Sequence, residues 1–235
     1  MFVVRLALAV LALISSQLAP ASAPSAPTAA AVVPPVSARA HAAGLVDVRT
    51  AVPDAIIDLR YATAHNFTGV RLYPTDARCL VHRTMTHGLR IAANRLRRKG
   101  LRLVFWDCYR PHSVQVRMYK IVPNPAWVAK PGPYAYSHEA GRSVDVTLAH
   151  AAVGGCASHR VHGHCLLPMG TGFDNFTPRA YAYATAGVSP RAEGDRRLLR
   201  HAMAAGGLSV YSGEWWHFDG PGADVHRPIL HAPLR

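Results

Sequence analysis

Two short segments far apart in the chain place the tightest condition on its fold. The first reads Ser137-His138-Glu139-Ala140-Gly141-Arg142-Ser143-Val144-Asp145, and the second Glu214-Trp215-Trp216-His217. His138 and Asp145 stand at either end of a tight Ala140-Gly141 turn. A strand entering after Gly141 returns Asp145 toward His138, and His217 arrives on a separate strand near the C-terminus. Two imidazoles and a carboxylate are three N/O ligands with an open fourth position, the pattern of a catalytic zinc site rather than a structural one. One zinc ion per chain is expected. Glu214 lies three residues before His217, across the tryptophan pair, and is a spare carboxylate placed beside the metal and not on it. It is the expected general base for an attacking water. A lone His or Asp is ordinarily a surface or satisfied core group. Four of them in two compact motifs ask for a common purpose.

The N-terminus is a separate matter. Arg5 precedes the apolar run Leu6 to Ile14, and Ala19-Pro20-Ala21 and Ala21-Ser22-Ala23 follow as cleavage candidates. This is the layout of a secretory signal peptide, expected over residues 1–21, and the run is too short to span a membrane. The alternative is an uncleaved anchor. Residues 22–43 are rich in Ala, Pro, Val and Ser without a period, and read as a flexible linker outside the fold. The remaining 192 residues, 44–235, suffice for one domain with a sizeable core. Export to the periplasm or medium follows, with no stable membrane span after cleavage.

Export also bears on charge and on cysteine. The formal net charge is +13, and Arg95, Arg97, Arg98 and Lys99 form a local cluster. No nucleic-acid motif accompanies it, so the expected contact is weak attraction to anionic cell-wall polymers, or merely a soluble basic surface. The four cysteines, Cys79, Cys108, Cys156 and Cys165, predict two disulfides in an oxidising compartment. Three pairings are possible. Cys156 with Cys165 closes a short loop and leaves Cys79 with Cys108. The rival is a second metal site using His159, His162 and His164.

Periodicity places these residues on elements. Apolar positions at helical spacing run from Thr84 to Lys99 and stop at Gly100. Leu101 to Trp106 reads as a buried strand leading into the turn Asp107-Cys108-Tyr109-Arg110-Pro111. A second helix is expected from Ser113, capped by its hydroxyl, to about Val122. Ser143 to Leu148 alternates as a strand, Ala151 to Thr177 reads as a long loop, and Glu193 to Ala205 as a helix. Short strands are expected at Leu208–Tyr211 and Trp215–Phe218. Strands and helices without regular alternation predict an α+β fold. Arg110, fixed by Pro111 after a buried strand, suits stabilisation of an oxyanion, or a structural ion pair with Asp107.

Taken in order, Asp-x-Tyr-Arg-Pro, Ser-x-His-x-x-Gly-x-x-x-Asp and Glu-x-x-His resemble the D-alanyl-D-alanine dipeptidases. That group of zinc enzymes includes the vancomycin-resistance dipeptidases. The resemblance runs from about Val46 to Phe218, through Phe67-Thr68-Gly69, Leu72-Tyr73-Pro74, Met169-Gly170-Thr171 and Phe173-Asp174. It implies a small antiparallel sheet flanked by helices, as in the zinc D-Ala-D-Ala peptidases and the Hedgehog signalling domain. It implies His138, Asp145 and His217 as zinc ligands, Glu214 as catalytic acid/base, Arg110 as transition-state stabiliser and Ser137 as a substrate-pocket residue. Pro168 stands where the resemblance leads one to expect a carboxylate near the substrate's amino group. The implied activity is zinc-dependent hydrolysis of the small peptide D-Ala-D-Ala in peptidoglycan metabolism. A carboxypeptidase or endopeptidase on stem peptides is the rival enzyme. A non-enzymatic zinc-containing binding module is the rival of another class, and Glu214 and Arg110 argue against it.

Overall fold

The computed structural model describes residues 32–156 and 159–235, together with Phe2. The expected signal peptide, Phe2 aside, and the first part of the expected linker lie outside the described residues. The chain order is α1 (Ala38–Ala42), β1 (Leu45–Asp47), β2 (Ile56–Ile57), β3 (Leu80–His82), α2 (Thr86–Arg97), β4 (Leu101–Asp107), α3 (His112–Ile121), β5 (Ser143–Val153), β6 (Arg160–Val161), β7 (His164–Leu166), α4 (Pro190–Ala205), β8 (Ser209–Val210) and β9 (His217–Asp219). This is an α+β arrangement. A two-stranded sheet pairs β1 with β3, and a seven-stranded sheet runs β2-β4-β5-β7-β6 with β9 on β5 and β8 on β9. The larger sheet is not wholly antiparallel as expected: β2 pairs parallel with β4.

The centre of the sheet is dictated by composition. β4 is Leu-Arg-Leu-Val-Phe-Trp-Asp, buried at every position but Arg102, and the first seven residues of β5 are buried throughout. Strand β4 is mostly apolar on both faces, as a strand covered on both must be, whereas β5 alternates Val144, Val146 and Leu148 with the buried polar residues Ser143, Asp145 and Thr147. Helix α2 lays Leu89, Ala92, Ala93 and Leu96 onto the core, the 3.6-residue stripe seen in its sequence. Where β4 meets β5 the register slips between Phe105 and Asp107, so that Asp107 pairs with Asp145. Such irregularities re-aim side chains beside functional sites. Here the slip sets Asp107, at the end of β4, beside Asp145, which lines the cleft.

Several elements depart from the sequence reading. Residues 36–42 do not lie outside the fold. Ser37 caps α1, Ala40 is fully buried, and the Arg78 guanidinium donates to the Pro34 and Pro35 carbonyls at 2.7 and 2.9 Å. Tertiary contacts, not helix propensity, hold so short a helix. Helix α3 starts one residue early, at His112, with Pro111 at its N-cap and no side-chain cap. Ser113 is thus the second helical residue, past the position from which a hydroxyl caps. Strand β5 continues to Val153 because the hairpin β6–β7 pairs with its outer end. The stretch expected as one long loop therefore begins with strand.

Candidate active site

Each site residue is delivered by a separate local device. Ser137 to Ala140 form a single helical turn, and Gly141 closes it with φ +66°. A Cβ at Gly141 would lie 2.6 Å from the Leu45 side chain and 3.1 Å from the His82 nitrogen, so the turn is open to glycine alone. The chain then enters β5, whose Asp145 pairs directly with His217 of β9. Trp215 and Trp216, both buried, pin β9. The Trp215 indole donates to the Thr171 hydroxyl at 2.7 Å, and the Trp216 carbonyl accepts from the Val146 amide.

The three expected ligands converge. His138 Nε2 lies 3.2 Å from Asp145 Oδ1 and 3.1 Å from His217 Nδ1, and His217 Nδ1 lies 3.1 Å from Asp145 Oδ1. Tetrahedral ligands at the 2.0–2.2 Å typical of zinc would be about 3.3–3.6 Å apart, so the triad lies a few tenths of an ångström inside the span of a metal of that size. His138, Asp145 and His217 are the one such cluster among the described residues. The outer ring atoms are occupied. His138 Nδ1 donates to the Cys108 carbonyl at 2.8 Å. His217 Nε2 donates to Asp219 at 3.0 Å, and the Ser143 hydroxyl also donates to Asp219. These contacts select the tautomer of each imidazole and turn the free lone pair inward, the usual support of a metal-binding histidine. With no cation between them the groups polarise one another. Burial disfavours the Asp145 anion, yet both imidazoles hold its carboxyl far below the usual range. Burial opposes the His217 cation, yet Asp145 and Asp219 raise it to about 10. A divalent cation would replace that proton, so binding and proton release are linked.

Around the triad is a cavity of about 440 Å³, lined by Arg110, Ser137, Glu214, Asp174 and Tyr61 among others. Glu214 Oε2 stands 3.9 Å from His217 Nδ1, beside the ligands but outside their triangle. Burial pushes its carboxyl above the ordinary range. Arg110 forms the expected ion pair with Asp107 and still lines the cavity. Its Nε and Nη2 donate to Asp107 at 2.9 and 2.7 Å and its Nη1 to Gln115 at 2.8 Å, while the guanidinium faces the cavity 3.9 Å from Asp145. Ser137 adopts φ +47°, and its hydroxyl donates to Ser143 at 2.9 Å. The cysteines pair Cys79–Cys108 and Cys156–Cys165, so the alternative of a second metal site at that loop does not stand.

Sequence reasoning missed three contributors. Asp219 is two residues beyond His217, and the period of two in a strand puts both on one face. Asp174 supplies a cavity carboxylate that Pro168 does not. It accepts the Tyr61 hydroxyl at 3.1 Å, and desolvation together with the Asp145 and Glu214 charges holds it well above the carboxylate range. Its φ of +54°, like that of Ser137, is a left-handed non-glycine backbone, the strain often found at functional sites. Glu139, whose Oε1 lies 2.6 Å from His112 Nδ1, completes the rim.

A convergent His/Asp/His cluster that could hold a metal ion, with a further carboxylate and a guanidinium in the same cleft, has the layout of a metallohydrolase site. Similarity to known proteins narrows that class. The sequence profile of the family described as D-ala-D-ala dipeptidase matches residues 41–234. Two curated relatives are named D-alanyl-D-alanine dipeptidase. One, from Escherichia coli (strain K12), is 36% identical over 79% of this chain and 89% of its own length. The other, from Streptomyces coelicolor, is 31% identical over 68% of this chain and 83% of its own. This chain belongs to the D-Ala-D-Ala dipeptidase family.

Proposed function

We propose that this protein is an exported zinc dipeptidase that hydrolyses D-alanyl-D-alanine to two molecules of D-alanine in peptidoglycan metabolism. The observation that carries the reading is the meeting of His138, Asp145 and His217 with Glu214 and Arg110 at one cavity. His138 Nε2, one Asp145 oxygen and His217 Nδ1 would hold the zinc. A zinc ion supplies Lewis-acid polarisation of the scissile carbonyl and an activated water near neutral pH. Glu214 accepts the proton from the attacking water and returns it to the departing amine. Arg110, held by Asp107 and Gln115, faces the developing oxyanion with a fixed positive charge. Ser137 lines the substrate pocket. Asp174, clear of the metal triangle and bonded to Tyr61, is the carboxyl suited to the substrate's ammonium group, whose positive charge would favour its ionised form against the burial that otherwise keeps it neutral.

The N-terminal run expected as a signal peptide and the two disulfides support export. No helix among the described residues is long and apolar enough to cross a membrane. The Hedgehog-like architecture, the linker role of residues 22–35 and weak attraction of the basic chain to anionic wall polymers are part of the same proposal. Parallel assays on free D-Ala-D-Ala and on a stem pentapeptide ending in D-Ala-D-Ala test the substrate class. The reading expects the free dipeptide to be cleaved with the higher kcat/KM. Preference for the pentapeptide would make the protein a carboxypeptidase, and binding of both with cleavage of neither would make it a binding module.

A further inference from the structure

One wall of the cavity is far more apolar than two alanine methyl groups require. Trp127 stacks on Phe176 with ring centroids 5.1 Å apart and planes at 10°. Phe67 meets Phe176 edge-on at 5.3 Å and Tyr61 at 6.2 Å. All four rings line the cavity. Trp127 nevertheless remains 47% exposed, so its stack with Phe176 leaves much of the indole without apolar cover.

The wall is built, not incidental. Asn124 ties the loop that carries Trp127, its side chain accepting from the Ala126 amide at 3.0 Å and its carbonyl from the Trp127 and Val128 amides. Gln115 donates to the Ala129 carbonyl at 2.6 Å while accepting from Arg110. The shelf is thus fastened to the residue that faces the reacting carbonyl. Its other end adjoins Asp174, which is two residues from Phe176 and bonded to Tyr61, the neighbour of Phe67.

We propose that this aromatic shelf is a side-chain subsite for the amino-terminal residue of the substrate, so that dipeptides bearing a large apolar D-residue before D-alanine are cleaved as well. The inference rests on the dipeptidase reading above. With the ammonium group at Asp174 and the carbonyl at the triad, the first side chain is the group that reaches Phe67, Phe176 and Trp127. The cavity volume falls within the roughly 300–1,000 Å³ range of pockets that enclose ligands larger than a simple dipeptide. Aromatic walls favour offset or edge-on partners, which a phenyl or branched aliphatic group supplies. The reaction is unchanged. Water adds across the amide, the C–N bond breaks, and D-phenylalanyl-D-alanine gives D-phenylalanine and D-alanine.

The test compares kcat/KM for D-Ala-D-Ala, D-Phe-D-Ala and D-Ala-D-Phe in the zinc-loaded wild type, Trp127→Ala and Trp127→Phe. The wild type should cleave D-Phe-D-Ala within about tenfold of D-Ala-D-Ala. Trp127→Ala should lower D-Phe-D-Ala cleavage by about tenfold or more, the scale of lost apolar contact in a pocket. Its effect on D-Ala-D-Ala should be several-fold smaller than on D-Phe-D-Ala, and Trp127→Phe should recover most of the D-Phe-D-Ala loss. Cleavage of D-Ala-D-Ala without D-Phe-D-Ala overturns the subsite and spares the dipeptidase reading. An equal Trp127→Ala loss on D-Ala-D-Ala and D-Phe-D-Ala also overturns it, as does a loss confined to D-Ala-D-Phe. Failure to cleave any of the three takes down the dipeptidase reading and the subsite with it.

Discussion

Glu214 and His217 are three residues apart in sequence and 3.9 Å apart in space, yet the geometry asks opposite things of them. One nitrogen of His217 joins the triad, while Glu214 stays free to carry a proton. Glu214→Gln should therefore retain metal and lose about 100-fold or more in kcat, the scale of general acid–base catalysis. Metal analysis alongside turnover checks this, and near-normal turnover with metal bound would remove Glu214 from the role. Asp219 acts one shell further out, through His217 Nε2. Asp219→Asn should weaken zinc binding by about 10–100-fold, the usual effect of losing such a support. Competition with a chromophoric chelator measures it, and unchanged affinity would make the Asp219 contact incidental.

Among the elements, the segment around α1 depends most on a single side chain. Asp47 ends β1 with its side chain 1% exposed. It accepts from the Arg49 amide and guanidinium and from Arg78, which in turn holds Pro34 and Pro35. Burial alone would raise its pKa, but the two arginines bring it below the ordinary value of 3.8. A carboxylate depressed in the fold stabilises fully above its unfolded pKa, near 3.9, and the contribution fades as pH falls through the lower folded value. Asp47→Asn should cost roughly 1.5–3 kcal/mol at pH 7, the scale of hydrogen bonds to a charged group. The gap from wild type should narrow below about pH 4. Denaturant melts across that pH range check the sign, and a gap that widened on acidification would contradict it.

At the scale of the whole molecule, the two disulfides have unequal tasks. Cys79–Cys108 spans 29 residues and Cys156–Cys165 only 9, so the chain-entropy argument gives about 3–4 and about 2.5–3 kcal/mol respectively. Cys108 is also the residue whose carbonyl orients His138. Replacing Cys79 and Cys108 by Ser should lower both stability and zinc affinity, whereas replacing Cys156 and Cys165 should lower stability alone. Thermal melts with metal titration separate the two. The same contrast explains what could be read in the chain beforehand. Helix α2 and strand β4 were legible because their apolar spacing is long and regular. The convergence of His138, Asp145 and His217 was legible because their spacing encodes a turn and a strand. Asp174 was not, since its place beside Tyr61 depends on a contact 113 residues away. Helix α1 was not, because an Ala-Arg-Ala-His-Ala stretch has no apolar stripe, and what ties it down is the burial of Ala40 and the hold of Arg78 on the preceding Pro34 and Pro35. The hairpin at 160–166 was hidden because its two strands are too short for alternation to show.

Everything proposed for this protein depends on one cleft binding a metal ion and hydrolysing a dipeptide there. The most direct measurement is the rate of D-Ala-D-Ala hydrolysis, with L-Ala-L-Ala as control, by the intact protein before chelation, after it, and after zinc is restored. The expected result is D-specific cleavage by protein holding about one zinc per chain, loss of cleavage on chelation, and recovery with zinc. Undiminished cleavage by protein shown to be metal-free would contradict it.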